Sequence, residues 1–206
     1  MTITLLHTTE AHRAIFDALR DGIAPDTQLR HVLRPAWLMR AQKADPTLEA
    51  DLAAVIGRAT GPVICTCTTL GPMAEALGAM RVDWPMMQQA AALGGPVMLA
   101  WCVDSTADPS VALLDRALSA TGTPQKVLPL PLPQYWPLFE AGETDAFSAV
   151  IAGEIRQAVT AHPEVRGVIL AQVSMAGAEA RLTDLGVPVL TSPEAGLRAG
   201  LALEAS

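Results

Sequence analysis

Short apolar runs recur along the chain, and between them lie segments of helical periodicity. The runs are "ITLLH", "QLRHVL", "PVICTC", "PVMLAWCV", "QKVLPLPL", "VRGVILAQV" and "PVLTS". Strands that are apolar on both faces and separated by helices are the signature of a mainly parallel sheet covered on both sides. With 206 residues, 50% of them apolar and only 17% charged, the chain has ample material for such a core.

Helix starts are legible from their chemistry. Asp45-Pro46, Asp108-Pro109 and Ser192-Pro193 each place a side-chain acceptor before a proline suited to the first helical turn. The following stripes agree: Leu48, Leu52, Val55 and Ile56; then Val111, Leu114 and Leu118; then Phe147, Ile151 and Ile155. These stripes read as core.

At Gly94-Gly95 the pattern starts again, with a strand, a polar turn and a capped helix. Two α/β lobes follow, 1–93 and 94–190, with the helix at 191–206 packing back on the first. One larger sheet with a glycine turn is the alternative. "TGTPQKVLPLPLPQYWPLFEAGETD" is the longest stretch expected to be irregular, since its prolines exclude a central strand and suit a loop or lid.

The net charge of −7, without a basic run, leaves no footprint for nucleic acid or anionic lipid. No apolar run is long enough to span a bilayer, and the N-terminus lacks signal-peptide character. Three cysteines fit reduced thiols better than a disulfide framework. The expectation is a cytoplasmic protein without a membrane or nucleic-acid partner.

The segment "GPVICTCTTLGPMAEAL" carries the candidate chemistry. In a strand, Cys65 and Cys67 point the same way, with Cys67 nearer the C-terminal end, where parallel sheets bind ligands. Donors from Thr68 and Thr69, and a helix beginning near Gly71-Pro72, are expected to lower the Cys67 thiol pKa. Buried cysteine is also a common small hydrophobe, so packing is the competing reading. No metal set is expected, because Cys65-x-Cys67 lacks a second pair and His7, His12, His31 and His162 are dispersed. Thr191 and Ser192 could hold an anion at a helix start, or Ser192 could simply cap the last helix.

"VICTCTTLG", followed by "RVDWPMMQQAAALGGPVMLA", resembles the first half of the aspartate/glutamate racemase superfamily, which includes hydantoin racemases and arylmalonate decarboxylases. The resemblance continues in order through "DSTADPSVALL", "LFEAGETDAFSAVI", "GVILAQVSMAGA" and "PVLTSPEAGLRAGL". It implies two pseudo-symmetric α/β lobes, each a mainly parallel sheet flanked by helices, with the site in the cleft between them. Carried over, Cys67 matches the family's first-lobe thiol, Thr68 and Thr69 match carboxylate-binding residues, and His7 and Thr8 match positions lining the cleft. Cys102 falls where relatives often have a threonine beside the site.

The sequence departs from that pattern in the second lobe. Where two-base racemases carry a second cysteine, Gln172 stands, with Ser174 just after it. A glutamine donates and accepts hydrogen bonds but exchanges no proton with carbon, so Gln172, with Ser174, is expected to supply polar contacts to the substrate from the second lobe. Racemisation needs an acid and a base on opposite faces of the α-carbon, so another group, such as Ser174, His7 or Cys102, would have to serve as the second acid. The implied activity is a cofactor-independent racemase or isomerase acting on a small carboxylate. Alternatives are a single-thiol lyase, decarboxylase or cis-trans isomerase, or a non-catalytic small-molecule binder. A homo-oligomer is compatible with all of them.

Overall fold

The computed structural model describes residues 2–122 and 124–204. The chain divides into two compact units, Met1–Pro85 with Pro193–Ser206, and Met86–Ser192.

The sheet of the first unit contains β1 (Thr2–His7), β2 (Gln28–Leu33), β3 (Val63–Cys65) and β4 (Met80–Arg81), all parallel, in the order β2-β1-β3-β4. The helices between the strands are α1 (Ala11–Ile23), α2 (Ala36–Gln42), α3 (Leu48–Ile56) and α4 (Gly71–Ala76). Because strand side chains alternate, the sheet has two buried faces. Leu6, Val32, Val63, Cys65 and Cys67 join Trp37 of α2 and Leu48 and Leu52 of α3 in one core. On the other face His7 meets Phe16 of α1, their ring centroids 5.8 Å apart.

The second unit repeats the plan with β5 (Val97–Trp101), β6 (Val127–Pro131), β7 (Gly167–Leu170) and β8 (Val189–Thr191), parallel in the order β6-β5-β7-β8. Its helices are α5 (Trp84–Ala92), which begins at the unit boundary, α6 (Ala107–Thr121), α7 (Trp136–Glu140) and α8 (Thr144–Ala161). Phe147, Ile151 and Ile155 of α8 are fully buried against Met98, Val168 and Leu170. On α6, Leu114 and Leu118 are buried, but Val111 is 38% exposed, because the buried face is centred on Ser110, Leu114 and Ala117.

The last helix, α9 (Ser192–Glu204), lies on the first sheet. A Cβ at Gly196 would come within 2.7 Å of the Val82 carbonyl oxygen, and one at Gly200 within 2.5 Å of Ile64 Cδ1, so these glycines permit the close approach.

Several sequence expectations need correction. Within the proline-rich stretch, expected to be mostly irregular, the run read as a strand at "QKVLPLPL" forms the edge strand Val127–Pro131, and the part expected to be a loop or lid holds a 3-10 turn, Pro133–Tyr135, and a helix, Trp136–Glu140. Leu132 N–H donates to the Trp101 carbonyl (2.8 Å), so by alternation Pro129 and Pro131 sit where amides would point away from β5, and the ladder loses nothing. Asp45 accepts from the Thr47 amide (2.9 Å) in the turn before α3, whereas Asp108 lies inside the first turn of α6. Ser192 Oγ, expected to cap, is buried with no hydrogen-bond partner among the described residues. No helix among the described residues is long and apolar enough to cross a membrane.

Candidate functional site

Cys67 sits two residues beyond the end of β3, where Thr66 N–H still pairs with the Leu6 carbonyl (3.0 Å). Contrary to the expectation of a lowered thiol pKa, Cys67 is buried and burial pushes its pKa up. The Thr8 hydroxyl and the N–H groups of Leu70 and Thr69 act against that rise, and the Asp83 carboxylate adds to it. Desolvation outweighs the donors in the unliganded protein, while the donors are already placed to stabilise a thiolate. Cys65 is also buried, donates to the Cys67 carbonyl (3.5 Å), and has its pKa raised, again chiefly by burial.

The loop after Cys67 is held from behind. Gly71 N–H donates to the Thr68 carbonyl (3.1 Å), and α4 starts there with only 6 residues. Arg81 lies against Gly71, so that an added Cβ would meet its Nε at 2.8 Å. The same guanidinium forms a bidentate pair with Asp83, Nε to Oδ1 at 3.0 Å and Nη2 to Oδ2 at 2.8 Å, with both side chains at most 3% exposed. The Arg-hydrophobic-Asp stretch thus buttresses the strand end that carries the thiol. A cleft of about 380 Å³ reaches the outer side of this loop at Thr69, Leu70 and Met73. Asp45 and Glu49 also line it, which makes it a poor seat for an anion.

The histidines that look scattered in sequence converge. Parallel pairing of β1 with β2 sets His31 opposite Leu5, on the same sheet face as His7, and α1 brings His12 and Asp17 over that face. His31 Nε2 lies 3.1 Å from Asp17 Oδ1, and His31 Nδ1 lies 2.8 Å from His7 Nε2. His7 Nδ1 lies 2.9 Å from Thr66 Oγ1, and His12 Nδ1 lies 3.3 Å from the same oxygen. Burial lowers the pKa of both His7 and His12 to about 3, aided at His7 by the nearby His12, His31 and Arg13 charges. Both ring nitrogens of His7 are therefore engaged inside the protein, which leaves none for a ligand. Sequence reading missed His12, His31 and Asp17, whose only signal was a helical spacing that leaves His12 and Phe16 on one face.

In the second unit, Gln172 Oε1 accepts from the backbone N–H groups of Cys102 (2.6 Å) and Val103 (3.1 Å), tying the ends of β7 and β5 together. Cys102 is buried in the core of that unit, and burial raises its pKa to about 12. Ser174 is buried in the 3-10 segment Val173–Arg181. The structure thus gathers Thr8, Cys67 and Thr69 around one sulfur in the first unit, and Cys102 with Gln172 in the second. Among the described residues no group of three or more His, Cys, Asp or Glu is arranged to hold a metal ion.

No family model and no curated protein sequence matches the chain. Solved structures do. A glutamate racemase from Bacillus anthracis superposes with a TM-score of 0.71 at 16% identity, over 99% of this chain and 82% of that one. A Picrophilus torridus aspartate racemase gives 0.66 at 13% identity, over 99% and 94%. An allantoin racemase from Pseudomonas fluorescens gives 0.64 at 17% identity, over 100% and 94%. The chain therefore has the fold of the aspartate/glutamate racemase superfamily.

Proposed function

We propose that the protein is a racemase- or isomerase-type enzyme that removes a proton from the α-carbon of a small carboxylate, with Cys67 as the base. The observation that carries this reading is the seating of the Cys67 sulfur among the Thr8 hydroxyl and the Thr69 and Leu70 amides, on a fold shared with racemases. The Thr8 hydroxyl and the Thr69 and Leu70 amides stabilise the thiolate against the cost of its burial, and Thr68 and Thr69 are the carboxylate anchors. All these groups come from the polypeptide, so no cofactor is required. Three free cysteines suit a reducing compartment, which makes cytoplasm the proposed location.

A second reading is favoured by Gln172, whose carboxamide cannot act as an acid or base where a second thiol is expected. It is a one-thiol enzyme that decarboxylates or isomerises its substrate. Incubation of D-glutamate and L-aspartate with the protein in D₂O, followed by NMR and chiral chromatography, separates the two. Deuterium at the α-carbon with loss of optical purity supports the racemase; a single stereochemical outcome supports the one-thiol enzyme. Turnover that survives in Cys67→Ala refutes both.

A further inference from the structure

The cleft beside the Cys67 loop lies wholly within the first unit, and its lining carries an unbalanced charge. Most of that lining is apolar, with Ala41, Leu48, Leu70, Pro72 and Met73. Its two carboxylates differ. Asp45 is fully engaged: Oδ2 accepts from Arg40 Nε at 2.6 Å, and Oδ1 accepts from the Thr47 amide and hydroxyl at 2.9 and 2.7 Å. Arg40 also reaches Asp51 at 2.8 Å, so the turn between α2 and α3 is clamped and its acid is paired. Glu49, in the first turn of α3, is exposed, and its carboxylate has no hydrogen-bond or ion-pair partner among the described residues. An apolar hollow with one unpaired anion in its lining complements a cation that carries an apolar body. A divalent metal ion is poorly served there, since it needs about six oxygen ligands. The volume of about 380 Å³ falls within the span of small-molecule sites, roughly 300–1,000 Å³.

Thr69 and Leu70 belong to two sites at once. They line this cleft, and their N–H groups are the ones that donate to the Cys67 sulfur. The next residue, Gly71, packs against the Arg81 side chain. We infer that the cleft binds a small primary amine with an apolar body, its ammonium on Glu49, and that occupancy braces the Thr69–Leu70 segment against the Cys67 sulfur. The apolar body covers Leu48, Leu70 and Met73 and displaces water from them. The ammonium supplies donors to the one acid that lacks them. With the segment held, its two amides stay on the sulfur and favour the thiolate. The site is thus a regulator of the thiol. Its binding does not depend on the proton-transfer reading above; only the consequence for turnover does.

Benzylammonium tests this, compared with benzyl alcohol, which lacks the charge, and benzoate, which reverses it. Amide ¹H–¹⁵N spectra of the unmodified protein at pH 7 are expected to show saturable shifts at Glu49, Thr69 and Leu70 with benzylammonium, at concentrations about tenfold or more below any response to the other two. Glu49→Gln, at an exposed position, keeps the fold and should weaken the amine by about tenfold or more. Saturating benzylammonium should move the midpoint of Cys67 labelling by iodoacetamide to lower pH, and in Glu49→Gln the same concentration should leave it in place. No saturable shift at the three amides, equal binding of amine and alcohol, or binding that leaves Cys67 labelling unmoved each overturns the proposal. These readouts need no substrate. A protein that shows them but turns over neither D-glutamate nor L-aspartate keeps the amine site and loses the enzyme reading.

Discussion

Cys67 and Gln172 hold the same station in two sheets of identical strand order. In the first, Leu6 pairs with Cys65 and the Thr66 amide donates to the Leu6 carbonyl; in the second, Ala100 pairs with Leu170 and the Ala171 amide donates to the Ala100 carbonyl. The residue after each of those amides is Cys67 or Gln172. By the same count Thr8 corresponds to Cys102. A hydroxyl bonds a thiol in one unit, and a backbone amide beside a thiol bonds a carboxamide in the other.

The first prediction concerns the thiols. Iodoacetamide labelling of Cys67 is expected to reach half its limiting rate at a pH above that of an ordinary free cysteine, because burial raises its pKa. Thr8→Val should move that midpoint higher still by removing a donor. Mass spectrometry of the labelled peptide across pH gives both values, and a midpoint below the ordinary range would contradict the burial of the sulfur.

Gln172→Met should leave the amides of Cys102 and Val103 without their acceptor, at a cost of about 1–3 kcal/mol for each orphaned group. Urea denaturation measures the loss, and hydrogen exchange should speed up at those two amides first. Gln172→Glu keeps an acceptor oxygen and should recover most of the protection.

Gly71→Ala would drive a methyl into the Arg81 guanidinium and tilt it off Asp83. The pair is buried, so Arg81→Met should be worse, stranding the Asp83 carboxylate at a cost of about 3–5 kcal/mol. Chemical denaturation of both variants checks the order. Equal stability to the unmodified protein would mean that the buttress is dispensable.

Acid should destabilise the first unit before carboxylate protonation takes effect. His7 and His12 have native pKa values near 3, below their value of 6.5 in the unfolded chain, so the unfolded state binds more protons between those limits. Their stabilising effect is complete above pH 6.5 and is lost as pH falls toward 3. Each contributes a slope of roughly 1.4 kcal/mol per pH unit. Denaturant midpoints from pH 7 to 4 should show it, and His12→Gln should remove about half of that histidine slope.

How much of this is legible in the sequence depends on how local the cause is. The strand at "VIC" and the stripe of Phe147, Ile151 and Ile155 follow from periodicity over a few residues, and the structure has them, with a new strand, Val97–Trp101, after Gly95. The Cys67 pKa does not follow, because the helices that desolvate it lie elsewhere in the chain. The histidine row is harder still. His7, His12 and His31 meet only because β2 pairs in parallel beside β1 and α1 crosses over both, a relation with no local signature. In the sequence Gln172 stands out only as a departure from a pattern; its grip on two backbone amides depends on the neighbouring strand.

The prolines of β6 set a boundary on growth. A sheet ends safely only if its last strand is a poor template for another chain. On β6 the missing donors fall at Pro129 and Pro131, on the side away from β5, so an incoming strand would find acceptors without their matching amides. The same spacing guards alignment: a slip of one residue would turn both prolines into the existing ladder and erase two of its hydrogen bonds. Strand-to-strand association of this protein, where it occurs, must therefore use an edge other than the outer rim of β6.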